Sequence, residues 1–517
     1  MAAPAVAQDP PPAAQESVHV SWNTQDRVAD PTPVRFRIGF EQTTIDPSED
    51  LGLLGMHLDF LEPLEGWPGI FFGLGGFTAV DGYRGGFLAG GLEGGLNHHF
   101  SDSVSIDAGI FVGVGGGHSV PNGTGVMLRE HLGGQYQVSK NLGLRLEFSN
   151  IDFPNGTMGD FQLGVGAAWT MAPWVARNEV RAGRVFPAAA QPEVTRLRFS
   201  AGGTFLLVDS SSKYTNGKSV DADISLVGGR ADLFLDDNLF LALSAGGALV
   251  GDIQGYAQVL TGVGYSMPID ERFSIEGTFL VGGAGGGGAD TGGGLVVQPG
   301  IGGRIHFHPQ VSGGVTLSRL MAVDGDFDAT GIGFDLAFST GLPDYKPGVR
   351  GVLLPDQTSL SLWVVEVMHR SYFPREDVRL DTGRDMGTMH ELGLGLAFPL
   401  TTEMELTAQF FGAYEGAEDA YAEGWLGGRY RHHFAGHPSQ AQWHLILAGA
   451  MGMGGGGNVS NGDGAMWDMR GGVGFTLSPT VDLDLTLGRT AAVDGDFDAW
   501  SFQGGLSWRF GVPVTKG

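Results

Sequence analysis

Cysteine is absent from the 517-residue chain, and charged residues are scarce, at 17% of positions. Without cysteine the chain has no disulfide framework, no thiolate metal site and no cysteine nucleophile. No run of 18 apolar residues occurs, which excludes a transmembrane helix. Basic residues number 30 against 57 acidic ones, and the formal charge of −27 with a pI near 4.7 argues against a nucleic-acid partner.

Glycine, in contrast, occupies 89 positions, about twice its usual share. A collagen-like chain is excluded because the glycines keep no three-residue period and only 25 prolines are present. Disorder is disfavoured because 42% hydrophobic and 10% aromatic residues provide ample apolar surface to bury. The composition therefore indicates a folded, glycine-rich, acidic protein.

Residues 1–33 predict a signal-peptide remnant and a flexible lead-in. Ala5, Val6 and Ala7 form an A-x-A triplet ahead of Gln8, as at a signal-peptide cleavage site. The charged region and apolar core that normally precede such a site are missing, so we interpret the triplet as part of a truncated or partly processed export signal. The proline-rich, polar residues after it predict a flexible segment.

The rest of the chain repeats one unit three times. The string AVDGDFDA occurs at 322–329 and again at 492–499. The glycine clusters that end at Gly117, Gly288 and Gly457 keep nearly the same spacing. We therefore predict three repeats. Their boundaries are 34–170, 195–340 and 358–511, with linkers at 171–194 and 341–357 and a C-terminal tail at 512–517.

Within each repeat the hydrophobic period is two. From 501 to 510, apolar residues and Gly504 alternate with mostly polar residues. Such alternation predicts half-buried β-strands. The third repeat contains eight such segments, at about 359–369, 389–400, 403–415, 420–434, 442–454, 465–478, 481–493 and 499–510. The other repeats give the same count, and long loops alternate with tight turns, so the sequence predicts 24 strands in up-and-down order.

The length and polarity of these segments predict an all-β fold of transmembrane antiparallel β-barrels. Strands of 10 to 14 residues are long for a soluble sandwich. A tilted strand of about 10 residues spans the apolar band of an outer-membrane barrel, which is about 25 Å tall. The polar face carries too few charges for a water-exposed surface, which indicates a lumen. Closure also removes unpaired strand edges.

The last strand, FQGGLSWRF, resembles the C-terminal recognition strand of bacterial outer-membrane β-barrel proteins. That strand ends in an aromatic residue with apolar residues at every second position before it. Phe502, Leu506, Trp508 and Phe510 match the pattern as a membrane-assembly strand, and Gly504 departs from it. The family strand usually closes the chain, whereas GVPVTKG follows here.

Each repeat also resembles the small eight-stranded OmpA/OmpX-type barrel in strand count and loop asymmetry. The resemblance implies an outer membrane of a Gram-negative-type bacterium as the location. It further implies contact with membrane lipid and lipopolysaccharide, and insertion by the outer-membrane assembly machinery.

The 24 predicted strands can close into barrels in two ways. An eight-stranded barrel is filled by its own side chains, whereas a 24-stranded barrel leaves a channel. We favour three tandem eight-stranded barrels, because the linkers exceed a turn and each repeat ends in a closing-type strand. A single 24-stranded barrel is the alternative. Segment 196–209 pairs with 329–339 in the first case and with 160–170 in the second.

Strand parity places charges of both signs on the polar face. In a filled lumen such charges must pair, because each unpaired buried charge costs several kcal/mol. The expected lumen charges are Asp107, Arg129, Arg145 and Glu147 in the first repeat, Glu276, Arg304 and Asp335 in the second, and Asp468, Arg470, Asp482, Asp484 and Arg509 in the third.

Two acidic strings are candidate metal ligands. Asp324, Asp326 and Asp328, and again Asp494, Asp496 and Asp498, have a D-x-D-x-D spacing that suits Ca²⁺. The glycine and distal glutamate of the calcium motif are absent, and Asp-Gly equally predicts a tight hairpin turn. We expect no cofactor beyond weak Ca²⁺ or Mg²⁺ binding at acidic loops.

The sequence predicts a non-enzymatic outer-membrane protein, because no nucleophile, base and orienting group can be assigned together. Its expected role is structural, or surface interaction through acidic extracellular loops. One alternative is a 24-stranded porin-like pore that prefers cations because its lining is acidic. The other is a secreted β-rich surface or matrix protein.

Overall fold

Nearly all of the described chain is β-strand. The computed structural model describes residues 28–31, 33–46, 49–61, 69–117, 120–154, 156–172, 174–175, 193–220, 223–251, 253, 255–308, 310–344, 352–353, 358–401, 403–416, 421–434, 443–478 and 480–515. Across these residues no helix is long and apolar enough to cross a membrane. The predicted signal triplet at Ala5 to Ala7 lies outside the described residues.

The strands form three separate closed antiparallel barrels, one for each repeat. Barrel 1 consists of β2 (Val34–Asp46), β3 (Glu49–Leu61), β4 (Ile70–Asp81), β5 (Leu88–His99), β6 (Val104–Gly116), β7 (Val126–Gln137), β8 (Leu142–Asp152) and β9 (Gly159–Met171). Barrel 2 consists of β11 (Glu193–Val208), β12 (Ile224–Phe234), β13 (Leu239–Val250), β14 (Ala257–Pro268), β15 (Phe273–Gly285), β16 (Leu295–His308), β17 (Val311–Ala322) and β18 (Asp328–Asp344). Barrel 3 consists of β20 (Thr358–Pro374), β21 (Met389–Pro399), β22 (Met404–Glu415), β23 (Tyr421–His433), β24 (Trp443–Gly456), β25 (Ala465–Ser478), β26 (Val481–Ala492) and β27 (Asp498–Thr515).

Each barrel closes by pairing its first strand with its last. In barrel 2, β11 pairs with β18 from Val208 opposite Ala329 to Arg198 opposite Ser339. Barrel 1 closes through β2 and β9, and barrel 3 through β20 and β27. The predicted fold class is confirmed. The single 24-stranded alternative is wrong, because closure leaves no strand edge free to pair with the next repeat.

Two strand ends extend past the predicted boundaries. β27 continues to Thr515, which pairs with Thr358, so most of the predicted tail at 512–517 belongs to the last strand. The reason is that β20 is 17 residues long and its first residues need backbone partners. In barrel 2, β18 likewise extends to Asp344.

A small three-stranded sheet lies outside the barrels. It joins β1 (Val28–Pro31) to β10 (Trp174–Val175) on one side and to β19 (Val352–Leu353) on the other. The predicted lead-in and the two predicted linkers therefore pair with one another.

The alternation predicted for the last strand is visible in β27. Ser501 and Ser507 are buried, whereas Trp500, Leu506 and Trp508 are exposed on the outside. The polar side chains thus face the inside of the barrel and the apolar ones face outward. This polarity is the reverse of that of a water-soluble protein and is the pattern of a barrel surrounded by lipid.

The three barrels contact one another in a closed ring. β4 of barrel 1 contacts β15 of barrel 2, β13 of barrel 2 contacts β24 of barrel 3, and β22 of barrel 3 contacts β6 of barrel 1. In every case the third strand of one barrel meets the fifth strand of the next. A head-to-tail interface between these two strands is therefore used three times and closes, as in a cyclic trimer, and barrels 2 and 3 also contact each other through β18 and β27.

A glycine faces a larger outward side chain at the equivalent place in each interface. A Cβ added to any of these glycines would crowd that side chain, so the missing side chain permits the close approach. Between barrels 1 and 2 the backbones are near enough for the Gly85 N–H to donate to the Gly292 carbonyl, at 3.1 Å. The three pairs are Thr78 with Gly283, Met453 with Gly247, and Val114 with Gly412.

Candidate functional site: lumens, belt and loops

Ion pairs fill the lumen of barrel 1. Asp107 is 1% exposed and accepts hydrogen bonds from Arg35 at 2.7 Å and from Arg145 at 2.8 Å. Arg35 lies on β2 and Asp107 on β6, so this pair crosses the barrel. His131 Nε2 lies 3.1 Å from Asp107, and His131 Nδ1 lies 3.0 Å from Glu93. Each ring nitrogen of His131 therefore faces one carboxyl group.

A second group of charges lies beside these in barrel 1. Arg37 donates to Asp59 at 2.7 Å, to Glu93 at 2.5 Å and to Glu147 at 3.1 Å. Arg129 bridges Glu147 at 2.9 Å and Glu41 at 2.7 Å. Guanidinium groups bind carboxylates through several donors at once, which fixes their geometry. The cross-section is therefore filled by paired, buried charges.

Barrel 3 is filled in the same way. Arg431 lies 3.3 Å from Asp482 and 2.7 Å from Asp484, and Arg509 lies 3.0 Å from Asp482. A further network forms from other strands of the barrel. Its pairs are Arg470 with Asp468, Arg429 with Glu366, and Arg370 with Glu423.

Barrel 2 contains a single layer of charges. Arg198 pairs with Asp232 at 2.8 Å and with Glu276 at 2.5 Å. Arg304 lies 3.3 Å from Glu276 and 2.9 Å from Asp335. Beyond this layer, toward the end that carries the long loops, the lumen holds a cavity of about 120 Å³.

The structure places every predicted lumen charge in one of these networks. It also adds charges that the sequence analysis did not single out. These include Arg35, Arg37, Glu41, Asp59 and Glu93 in barrel 1 and Arg198 and Asp232 in barrel 2. The signal that identifies them is strand parity, since Arg35, Arg37 and Glu41 occupy alternate positions of β2.

Large apolar side chains cover the outer faces of the barrels. Phe148, Phe334 and Leu487 are each more than half exposed, one from each barrel. On β27, Phe502, Leu506 and Trp508 lie on this outer surface, and the ring of Phe510 is 6.4 Å from that of Trp363. The assembly role of these four residues stays a prediction.

The predicted calcium ligands of barrel 2 are engaged by cations and backbone groups. Lys213 donates to Asp326 at 2.5 Å, and this hydrogen bond raises the pKa of the exposed Lys213. Asp324 accepts from the Gly293 N–H at 3.0 Å, and Asp328 lies 3.4 Å from Arg319.

The equivalent aspartates of barrel 3 show a similar arrangement. Asp494 accepts from the Asp463 N–H at 3.2 Å, Asp498 lies 2.6 Å from Arg489, and Asp496 is exposed. Within the described ranges, no three acidic or histidine side chains are grouped to hold a metal ion. The calcium role of these six aspartates stays a prediction.

No protein-family model and no curated protein matches the chain. Among solved structures, the siderophore receptor PirA from Pseudomonas aeruginosa is similar at 11% identity and a TM-score of 0.27, over 92% of this chain and 80% of that one. The outer membrane protein opdK from the same organism is similar at 10% identity and a TM-score of 0.23, over 93% and 99% of the two chains.

Proposed function

We propose that the protein is a non-enzymatic outer-membrane protein whose filled barrels anchor it without conducting ions, and whose acidic loops form its interaction surface. The observation that carries the proposal is the reversed polarity of the barrels, with ion pairs inside and large apolar side chains outside. A filled lumen has a structural role, because paired buried charges leave no continuous aqueous path.

The outer surface supports a bilayer location over a secreted surface or matrix protein. Soluble proteins rarely expose contiguous apolar patches of this extent. Aromatic residues are also exposed at both ends of the strands, including Phe307 and Phe434 at the turn end and Phe161 and Trp500 at the loop end. Such aromatic girdles are typical of the two membrane interfaces.

The loop end is the proposed site of contact with other molecules. Its exposed carboxylates include those of Asp152, Asp160, Asp377 and Asp385. Carboxylates bind hard divalent cations through oxygen. Weak Ca²⁺ or Mg²⁺ shared with lipopolysaccharide phosphates is the partner chemistry that we propose for this end. Insertion by the outer-membrane assembly machinery and the OmpA/OmpX-type relationship belong to the same proposal.

Conductance of the full chain in a planar lipid bilayer tests the filled-lumen proposal. We expect no steady conductance steps from the wild-type protein. Arg129→Ala, which removes a lumen guanidinium, is compared with Leu132→Ala, which trims the outer face of the same strand. Brief conductance openings are expected from Arg129→Ala and not from Leu132→Ala. Steady nanosiemens-scale steps from the wild-type chain would overturn the proposal, and folding in buffer without any detergent would overturn the membrane location.

A further inference from the structure

We infer that the cavity inside barrel 2 is a binding chamber for a small, neutral, polyhydroxyl or amide molecule of about six non-hydrogen atoms. The chamber has a volume of about 120 Å³. An apolar cavity of about 150 Å³ holds a benzene molecule, so the chamber suits a ligand of that size or slightly smaller. Its uncharged polar lining residues are Ser200, Thr204, Ser244, Gln258, Thr278, Gln298, Thr316 and Ser318, and Arg230 and Asp335 line it at the turn end.

The chamber wall offers hydrogen bonds that the protein does not use. Among the described residues, the side-chain hydroxyls of Thr204, Ser244, Thr278 and Thr316 have no hydrogen-bond partner in the protein. The four side chains are half-buried and line the cavity, so the partners of their hydroxyls are molecules inside it, either water or a bound ligand. Four hydroxyls around one space therefore favour an occupant that both donates and accepts hydrogen bonds.

The two ends of the chamber favour a neutral ligand. At the turn end, the Arg230 side chain pairs with Asp232 at 2.9 Å, and Asp335 pairs with Arg304 at 2.9 Å. These cations and anions already satisfy one another, so no charge is left to offset the desolvation of an ion. A bound anion or cation is thus disfavoured.

The loop end of the chamber is closed by apolar side chains. Leu206, Val296 and Leu320 are fully buried there, and Phe327 and Tyr256 from the loops pack over them. This apolar cap separates the chamber from the loop side of the membrane. An amphipathic ligand, with carbon atoms toward the cap and hydroxyl groups toward the threonines, matches both surfaces.

In barrel 1 the space equivalent to the chamber is filled by side chains. Ser244 occupies the place that Gly75 occupies in barrel 1, on the third strand of each barrel. The space beside Gly75 is taken by the His57 ring, which a Cβ at position 75 would overlap. Thr278 likewise corresponds to Gly109, where the rings of Phe71 and His131 fill the lumen. The hollow therefore arises from smaller side chains in the second repeat, not from the fold itself.

The test uses the full chain in detergent micelles with 3-fluoropropane-1,2-diol, a neutral diol of six non-hydrogen atoms, observed by fluorine NMR. We expect a shifted or broadened resonance with the wild-type chain that glycerol reverses by competition. Ser244→Leu fills the chamber and is expected to abolish the effect. Val263→Leu places the same side chain on the exposed outer face of β14, away from the chamber, and is expected to retain it.

Each outcome decides the proposal. An unchanged resonance with the wild-type chain would overturn it and leave the chamber as a water-filled space. Equal broadening with all three proteins would also overturn it, because the diol would then bind to the micelle or the outer face. If Ser244→Leu fails to fold, Gly333→Leu replaces it, because Gly333 lines the same chamber and a Cβ there would lie 3.3 Å from its nearest neighbour, the Thr204 hydroxyl oxygen.

Discussion

Barrels 1 and 2 share a strand order and a repeat but fill their interiors differently. In barrel 1, charged and aromatic side chains cross the lumen, with Arg35 reaching Asp107 and the His57 ring of β3 lying 6.1 Å from the Phe111 ring of β6. In barrel 2, one charged layer lies below a cavity of about 120 Å³. Closure of an eight-stranded barrel thus depends on backbone pairing, and the contents of the lumen can vary independently of it.

The largest difference in stability loss between the two barrels is expected when equivalent carboxylates are removed, Asp107 in barrel 1 and Glu276 in barrel 2. Asp107→Asn removes the counter-charge of Arg35 and Arg145 in a filled lumen, and we expect a loss of about 3–5 kcal/mol in the free energy of unfolding. Glu276 lies next to the cavity, where water can solvate the guanidinium groups that lose their partner. For Glu276→Gln we therefore expect a smaller loss, of about 1–3 kcal/mol, in the free energy of unfolding. Urea unfolding in lipid vesicles, followed by tryptophan emission, measures both. Equal losses would remove the energetic distinction between the two lumens.

The next largest difference is expected from adding bulk at equivalent positions. A Cβ at Gly75 overlaps the His57 ring, so Gly75→Leu is expected to lower the free energy of unfolding by about 1–3 kcal/mol through overpacking. Ser244→Leu enters the cavity of barrel 2 and is expected to cost less than about 1 kcal/mol. The midpoint of heat-induced mobility change in gel electrophoresis compares the two. A larger loss for Ser244→Leu would mean that barrel 2 is as tightly filled as barrel 1.

A smaller effect is expected at the contact between the two barrels. Gly283→Leu collides with Thr78 and is expected to separate barrels 1 and 2 while each remains closed. Spin labels on single cysteines introduced at Tyr83 and Lys218 report the separation as a broader distance distribution. The exchange Thr78→Gly with Gly283→Thr keeps one glycine in the pair and is expected to restore the narrow distribution. A narrow distribution in Gly283→Leu would show that this contact does not position the barrels.

The smallest effect is expected at the turns. The Asp236 carboxylate in barrel 2 accepts from the Leu239 and Asn238 N–H groups, at 2.6 and 2.7 Å, and these hydrogen bonds lower its pKa. Ser101 in barrel 1 makes the same kind of contact with the Val104 N–H at 3.1 Å through a hydroxyl. A carboxyl group whose pKa is lowered by folding stabilises the fold above its unfolded pKa of about 4 and loses that contribution as the pH falls through its folded pKa.

We therefore expect the stability difference between wild type and Asp236→Ser to shrink as the pH falls below about 4. The matched variant Ser101→Ala should show a difference that does not change with pH. Thermal unfolding between pH 3 and 7 measures both. A difference for Asp236→Ser that stays constant over this range would show that the carboxylate charge does not stabilise the turn.

Strand parity alone predicted much of the fold. The segment 465–478 was predicted from alternation and is observed as β25, and the same parity places Asp468 and Arg470 inside barrel 3. Parity cannot identify partners across the lumen, because Arg37 and Glu93 lie on strands that are not neighbours. It also cannot distinguish two kinds of outer surface. Thr78 points outward like a lipid-facing residue, yet it is 1% exposed because barrel 2 covers it.

The cavity of barrel 2 also cannot be predicted from the sequence. Glycine, serine and threonine at inward positions are equally consistent with tight strand curvature and with empty space. The difference depends on the side chain at the paired position of the neighbouring strand. The His57 ring on β3 takes the space beside Gly75 in barrel 1, whereas Arg230, which is paired with Ser244 in barrel 2, lies 2.9 Å from Asp232 in the charged layer.

Joining the three barrels on one polypeptide changes how their ring assembles. In a trimer of separate chains, three molecules must meet by diffusion in the membrane, and dilution favours their dissociation. Here the linkers hold the barrels at a high effective concentration, so the ring forms within a single molecule. Its composition is therefore fixed at one copy of each barrel. Because each interface joins two different sequences, the larger side chain can lie on the third strand at Thr78 and on the fifth at Met453 and Val114. A ring of identical subunits could not vary its contacts in this way.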